Sequence, residues 1–241
     1  MKDTEYRSNA VTGEAESTLA AKSALPFAVV EAYKAIRTNL MFLLSNSRGR
    51  VFEVSSPLPG EGKSSCALNL AIAFSQLGNR VLLIDADLRK PSIYRKLHLQ
   101  NSKGLSSVLV GFCSFSDAVV SANPNFDVLV SGPTPPNPSE LLSSDAMSEL
   151  LDSIKEDYDY IVIDTPPVNV VSDAVVLAPK TEGIVMVVQD RVTTHEEFRK
   201  SVASLGFAQA RLLGVVLNSS ADHTAKYKYT SPNGISTNAV H

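Results

Sequence analysis

Val51-Phe52-Glu53-Val54-Ser55 is a short, mostly apolar run that leads directly into Ser56-Pro57-Leu58-Pro59-Gly60-Glu61-Gly62-Lys63-Ser64-Ser65. The usual phosphate-loop spacing is G-x-x-x-x-G-K-[ST], placed between a strand and a helix. Pro57 stands at the position of the first glycine, whereas Gly62-Lys63-Ser64 matches the end of the pattern. A helix is predicted next, from Cys66 to Leu77. The segment therefore predicts a strand, a phosphate-binding loop over 56–65 and a helix.

The residue types in this loop suit a bound phosphate. Gly60 and Gly62 permit backbone angles closed to bulkier residues and a close approach to a ligand. Successive backbone N–H groups and the N-terminus of the next helix then attract an anion. Lys63 can reach the β- and γ-phosphates of a nucleotide, and the Ser64 hydroxyl can bind Mg²⁺. The predicted ATP-binding residues of the loop are Pro59, Gly60, Glu61, Gly62, Lys63, Ser64 and Ser65.

Two other apolar runs end in aspartate. Val81–Ile84 leads into Asp85-Ala86-Asp87, and Tyr160–Ile163 leads into Asp164. Open parallel sheets bind ligands outside the carboxyl ends of their strands, so we expect these carboxylates near the phosphate loop. The i, i+2 spacing also points Asp85 and Asp87 the same way if the strand persists.

Phosphoryl transfer to a hydroxyl requires positioning, charge neutralisation and an activated acceptor oxygen. One of Asp85 and Asp87 is the expected general base, with a lean towards Asp85, and the other supports a metal ion together with Asp164. Arg89 and Lys90 are either phosphate contacts or solvated loop charges. The predicted catalytic residues are Lys63, Asp85 and Asp87, and the predicted metal ligands are Ser64, Asp87 and Asp164.

Strands and helices alternate along the chain, which predicts an α/β fold with a doubly wound, mostly parallel sheet of the P-loop type. Residues 1–27 and 219–241 lack an apolar period and are expected to be flexible ends of one domain over 28–218. Ser139 is the expected N-cap of a helix over Glu140–Lys155. The remaining predicted elements are a helix over 29–44, strands at 81–84, 126–130, 160–163, 184–188 and 212–217, and a helix around 194–205.

Composition narrows the class of protein. The hydrophobic content of 44% and charged content of 20% are those of a soluble globular chain. A net charge of −3 gives no global reason to expect a nucleic acid partner. The two cysteines have no metal-ligand spacing, and no apolar stretch reaches the roughly 20 residues of a membrane helix. The expected location is the cytoplasm.

The three motifs together resemble the bacterial tyrosine kinases of capsule and exopolysaccharide synthesis. In that family, the loop over 56–65, the segment Val81–Pro91 and the segment Tyr160–Pro167 correspond to the Walker A, A′ and B motifs. The resemblance extends over about residues 28–230 and includes Pro136–Leu142. It implies an enzyme that uses ATP and Mg²⁺ to phosphorylate tyrosine and is unrelated in fold to eukaryotic protein kinases.

The resemblance also implies roles outside the phosphate loop. Family members carry an E-x-x-R-x-x-R element that mediates ring-shaped self-association, matched here by Glu31, Lys34 and Arg37 with lysine in place of the central arginine. They end in tyrosines that a neighbouring subunit phosphorylates, and this chain offers Tyr227 and Tyr229. Asn218, at a strand end, is on positional grounds either an adenine contact or part of a turn.

The resemblance also implies partners, and the absence of a predicted membrane span adds a separate membrane activator to them. They are a ring-shaped homo-oligomer (an octamer is one possible size), a membrane activator or adaptor of polysaccharide export, and a protein-tyrosine phosphatase. The activator would recruit the chain to the inner face of the cell membrane.

Two rival functions remain at this stage. The first is a partitioning or septum-placing P-loop ATPase that acts as a nucleotide switch, but those proteins carry an extra lysine where this chain has Leu58. The second is a nucleotide-binding regulatory subunit without turnover, which would not need Lys63, Ser64 and the three aspartates.

Overall fold

The computed structural model describes residues 25–44 and 50–219. Most of the segment 1–27 and the proposed phosphorylation sites Tyr227 and Tyr229 lie outside these residues, so the predictions made for them remain predictions.

The centre of the fold is a seven-stranded sheet in the order β3-β4-β2-β5-β1-β6-β7. Neighbouring strands are parallel except for the antiparallel pair β3 and β4. The three central strands are buried along almost their whole length, as expected for a sheet covered by helices on both faces. The predicted doubly wound fold is confirmed. The strands are β1 Arg50–Ser55, β2 Val81–Asp85, β3 Val120–Asn123, β4 Phe126–Leu129, β5 Tyr160–Asp164, β6 Ile184–Gln189 and β7 Leu212–Asn218.

Helices cover the two faces of the sheet. Among the described residues, no helix combines the length and apolar character needed to cross a bilayer. The helices are α1 Phe27–Leu43, α2 Lys63–Ser75, α3 Ile93–Lys96, α4 Leu105–Leu109, α5 Phe115–Ala118, α6 Pro138–Ser143, α7 Asp145–Ile154, α8 Asp173–Leu177, a 3₁₀ turn Ala178–Lys180 and α9 His195–Phe207.

The core has a separate apolar cluster on each face of the sheet. On one face, α1 and α2 contribute Leu40, Leu70 and Phe74, which pack with Phe52 of β1. On the other face, residues of α7 such as Leu150 pack against β2 and β5. The phosphate-loop helix α2 is therefore held between the sheet and α1.

Two predicted elements were wrong in detail. Helix α2 begins at Lys63, three residues before the predicted start, so Lys63 and Ser64 belong to its first turn. The helix predicted over Glu140–Lys155 is two helices, because Ser144 between them has an extended backbone (ψ 161°). Ser139 is therefore a residue inside α6 and not an N-cap.

Candidate functional site

The loop between β1 and α2 has the backbone shape of an anion cradle. Gly60 and Gly62 have φ angles of 87° and 93°, in the left-handed region that favours glycine. Gly62 immediately precedes α2, so the positive end of that helix faces the loop. A Cβ atom at Gly62 would lie 2.3 Å from the Asn218 side-chain nitrogen, which shows how closely the end of β7 approaches the loop.

The side chain of Glu61 anchors the loop to the protein. It is fully buried, and one carboxylate oxygen accepts the Leu58 N–H at 2.8 Å while the other accepts the hydroxyl of Thr193. The Glu61 carbonyl accepts the Asn218 amide at 2.9 Å. Only the backbone of Glu61 is thus available to a phosphate, and its side chain holds the loop in shape.

Lys63 lies between two carboxylates at the start of α2. Its Nζ atom is 2.8 Å from Asp87 Oδ2 and 3.4 Å from Asp164 Oδ1, and it donates to Ser64 Oγ at 3.2 Å. Burial lowers the pKa of Lys63, but the attraction of Asp164 and Asp87 outweighs this and raises the pKa above its usual value. The phosphate loop, the segment after β2 and the end of β5 therefore meet at Lys63, and the carboxylates lie near the loop as expected.

Asp85 and Asp164 end neighbouring strands in the same register and lie side by side. Both are fully buried. Burial, followed by repulsion from Asp164, raises the pKa of Asp85 to about 7. Burial also raises the pKa of Asp164, although Lys63 opposes this.

The two aspartates of the A′ segment contact different groups. Strand β2 ends at Asp85 and does not continue to Asp87, so the two side chains are not held in the same direction by a strand. Asp85 accepts the backbone N–H groups of Asp87, Ser92 and Ile93 at 3.0–3.2 Å. Asp87 accepts the Lys90 N–H at 3.0 Å and pairs with Lys63. Asp85 thus holds its own loop, while Asp87 faces the phosphate site.

The residues present fit a magnesium ion carried by a nucleotide. Across 25–44 and 50–219, no three His, Cys, Asp or Glu side chains are grouped so as to enclose a metal ion. Mg²⁺ in nucleotide sites needs only one or two carboxylates, because phosphates and water complete its shell. Asp164 Oδ2 is buried without a hydrogen-bond partner, beside Lys63 and Ser64, and is suited to such a ligand.

Some functional contacts could not be foreseen from spacing. Arg89 pairs with the buried Asp173 at 2.9 Å, a contact that neither expectation for Arg89 included. Lys96 of α3 donates to Ser65 at 2.9 Å, beside the phosphate loop. Asp173 and Lys96 lie in no motif, so the sequence carries no signal for them.

The charged stripe on α1 makes contacts within the chain. Glu31 and Lys34 form an exposed ion pair of 2.7 Å. Arg37 donates to the Ala73 carbonyl near the end of α2, also at 2.7 Å. The proposed role of these three residues in self-association remains a prediction.

A mostly parallel sheet with a phosphate loop after β1, and with aspartates at the ends of the nearby strands β2 and β5, defines a P-loop nucleotide-binding protein. A family described as AAA domain matches residues 50–196. The tyrosine-protein kinase YwqD of Bacillus subtilis is 43% identical over 189 residues, which cover 78% of this chain and 80% of YwqD. The chain belongs to the family of bacterial tyrosine-protein kinases, which confirms the resemblance seen in the sequence.

Two further relatives agree with this assignment. The putative tyrosine-protein kinase CapB of Staphylococcus aureus is 35% identical over 203 residues, covering 83% of this chain and 89% of CapB. The kinase domain of the Escherichia coli tyrosine kinase ETK superposes with a TM-score of 0.80 at 30% identity. That match covers 96% of this chain and 89% of the ETK domain.

Proposed function

We propose that this chain is a protein-tyrosine kinase that uses ATP and Mg²⁺, with residues 28–218 as its catalytic domain. The observation that carries the proposal is the Lys63 ammonium, held between Asp87 and Asp164 at the end of the phosphate loop. Phosphoryl transfer depends mainly on positioning and charge stabilisation, and this arrangement supplies both.

The roles of the residues follow from their positions. Loop N–H groups and Lys63 would hold the phosphates, and Ser64 and Asp164 would hold the metal ion. Mg²⁺-ATP, when bound, supplies the phosphoryl group and neutralises charge on its β- and γ-oxygens. The tyrosine oxygen forms a bond to the γ-phosphorus, the bond from that phosphorus to ADP breaks, and the tyrosine proton passes to a carboxylate.

We assign proton acceptance to Asp87. A general base must reach the hydroxyl and must also have a suitable pKa. Asp85 has the favourable pKa of about 7, but it has no exposed surface and its oxygens hold three backbone N–H groups. Asp87 faces Lys63 and keeps 4% of its surface exposed. A carboxylate must reach the tyrosine hydroxyl before its pKa matters. This assignment therefore replaces the earlier preference for Asp85 as the general base.

The proposed substrates are Tyr227 and Tyr229 of a neighbouring copy of the chain, within a ring-shaped homo-oligomer joined through α1. Family membership and the polar, lysine-flanked context of both tyrosines support this proposal. We propose Asn218 as an adenine contact, since its amide already reaches the phosphate loop at Glu61.

The same family membership supports a role in capsule or exopolysaccharide synthesis and export. A membrane activator would recruit the kinase to the inner face of the membrane, and a phosphatase would reset its tyrosines. The rival partitioning-type switch is disfavoured by Leu58, which replaces the extra lysine of those proteins.

Phosphotyrosine formation tests the proposal. The full chain is incubated with ATP and Mg²⁺, alone and with the membrane fraction of the cells that express it, and phosphotyrosine is located by mass spectrometry. Wild type is expected to be modified at Tyr227 or Tyr229, and Lys63→Met is expected to be unmodified. A signal that survives Lys63→Met would overturn the site, and ATP hydrolysis without phosphotyrosine would favour the partitioning-type switch.

A further inference from the structure

Arg89 makes a forked contact with a buried carboxylate. Its Nε atom is 2.9 Å from Asp173 Oδ2, and its Nη2 atom is 3.0 Å from Asp173 Oδ1. The Asp173 side chain has no exposed surface, whereas that of Arg89 is 39% exposed. Forked arginine–carboxylate pairs fix geometry as well as charge.

Ser139 completes this contact. Its hydroxyl accepts from Arg89 Nη2 at 3.0 Å and donates to Asp173 Oδ1. Three separate elements meet here, namely the loop after β2, helix α6 and the first residue of α8. We call Arg89, Ser139 and Asp173 the arginine clamp.

The clamp joins the two acidic segments of the site. Arg89 lies two residues after Asp87, and Asp173 lies at the end of the segment that follows Asp164. Asp87 and Asp164 also share Lys63 at the other end of these segments. The backbone joins the segments where β2 meets β5, through the Ala86 N–H bond to the Asp164 carbonyl at 2.8 Å. Beyond that point, side chains tie the two segments together at Lys63 and again at the clamp.

An exposed ion pair would not support such a role, because exposed pairs contribute little to stability. The clamp differs because Asp173 is fully buried, so loss of Arg89 would leave a buried charge unpaired. The carboxylates of Asp85 and Asp87 accept backbone N–H groups only from residues 87–93, so these bonds fix only the shape of the loop. The Arg89 side chain ties that loop to a different part of the sheet edge.

We propose that Arg89 is a positioning residue, which acts through Asp173 and Ser139 to hold Asp87 against Lys63 and to fix its distance from Asp164. The kinetic part of this inference rests on the proposed kinase function. Lysine cannot reproduce the forked contact, so Arg89→Lys should misplace Asp87 while leaving the phosphate loop intact. A misplacement of about 1 Å lowers turnover by about a hundredfold in well-ordered sites, and we expect a fall in kcat of at least about tenfold.

The test compares Arg89→Lys, Ser139→Ala, Asp173→Asn and the Arg89→Lys/Asp173→Asn double variant in the full chain. Lys155→Met, which removes an exposed ion pair with Asp152, is the control. Three quantities are measured: kcat for tyrosine phosphorylation, the Kd for ADP, and hydrogen exchange over residues 86–92 and 165–172. Exchange does not depend on activity, so it tests the clamp even if wild type proves not to be a kinase.

The expected result is a loss of kcat with an unchanged Kd for ADP, together with faster exchange in both segments. The double variant should lose no more activity than the more impaired of the two single variants, because both substitutions remove the same contact between Arg89 and Asp173. Ser139→Ala should show a smaller effect in the same direction. Unchanged exchange in the second segment, additive losses in the double variant, or an equal loss of ADP affinity would each overturn the proposal.

Discussion

Replacement of Lys63 by methionine should destabilise the protein in the absence of any nucleotide. The ammonium lies 2.8 Å from Asp87 and 3.4 Å from Asp164. At an effective dielectric constant of about 20, these distances correspond to attractions of about 6 and about 5 kcal/mol. Desolvation of the three buried groups opposes most of this gain, and removal of one partner from a buried pair typically costs about 3–5 kcal/mol. We expect a loss of that size in the free energy of unfolding at neutral pH.

The loss should depend on pH in a defined direction. Without the ammonium, the folded-state pKa values of Asp85 and Asp164, already raised by burial, rise further. A carboxyl group with a raised folded-state pKa destabilises the fold increasingly as the pH rises through the interval between its unfolded and folded values. The Lys63→Met variant should therefore approach wild-type stability at mildly acidic pH, where these carboxyl groups are protonated.

Urea denaturation followed by circular dichroism, at neutral and at mildly acidic pH, measures both effects. Lys155→Met is the matched control, since its ion pair with Asp152 has a similar length of 2.7 Å but is exposed. No measurable change is expected for the control. Equal losses in the two variants, or a loss at Lys63 that does not change with pH, would refute the electrostatic reasoning.

Three further predictions concern residues around the site. Burial raises the pKa of Glu53 well above its usual 4.5, and one of its oxygens has no hydrogen-bond partner. The contribution of Glu53 to stability should therefore fall as the pH rises above 4.5. Urea unfolding of Glu53→Gln should show a flatter pH profile, and identical profiles would contradict this. Calorimetric titration with ADP should show a larger loss of affinity for Gly62→Ala than for Gly60→Ala. A Cβ at residue 62 would lie 2.3 Å from the Asn218 side chain, whereas a Cβ at residue 60 would meet nothing within 4 Å. The reverse order of affinities would disprove the contact. Tyr33→Phe removes the hydroxyl of a half-buried tyrosine that interacts with Asn69 and Cys66 of α2. It should cost about 1 kcal/mol in urea unfolding, and an unchanged midpoint would contradict that.

The sheet and the phosphate loop were predictable because their signals are local. A strand such as Tyr160–Asp164 is apolar throughout, and burial on both faces of a sheet requires that composition. The three adjacent residues Gly-Lys-Ser at the end of the loop indicate both its backbone conformation and its phosphate-binding chemistry. By contrast, the break at Ser144 depends on a single extended residue between two stretches with helical periodicity. That periodicity continues across the break, so the sequence predicted one helix where the structure has two.

The division of labour between Asp85 and Asp87 was not predictable, because it depends on the path of the loop that contains them. Spacing along a strand gives both carboxylates the same direction, but the strand ends at the first of them. The loop then turns so that Asp85 accepts its backbone N–H groups and Asp87 meets Lys63. Arg89 in the same loop also contacts Asp173, which lies 84 residues further along the chain. No local pattern encodes a partner at that distance, so the role of each aspartate follows only from the folded arrangement.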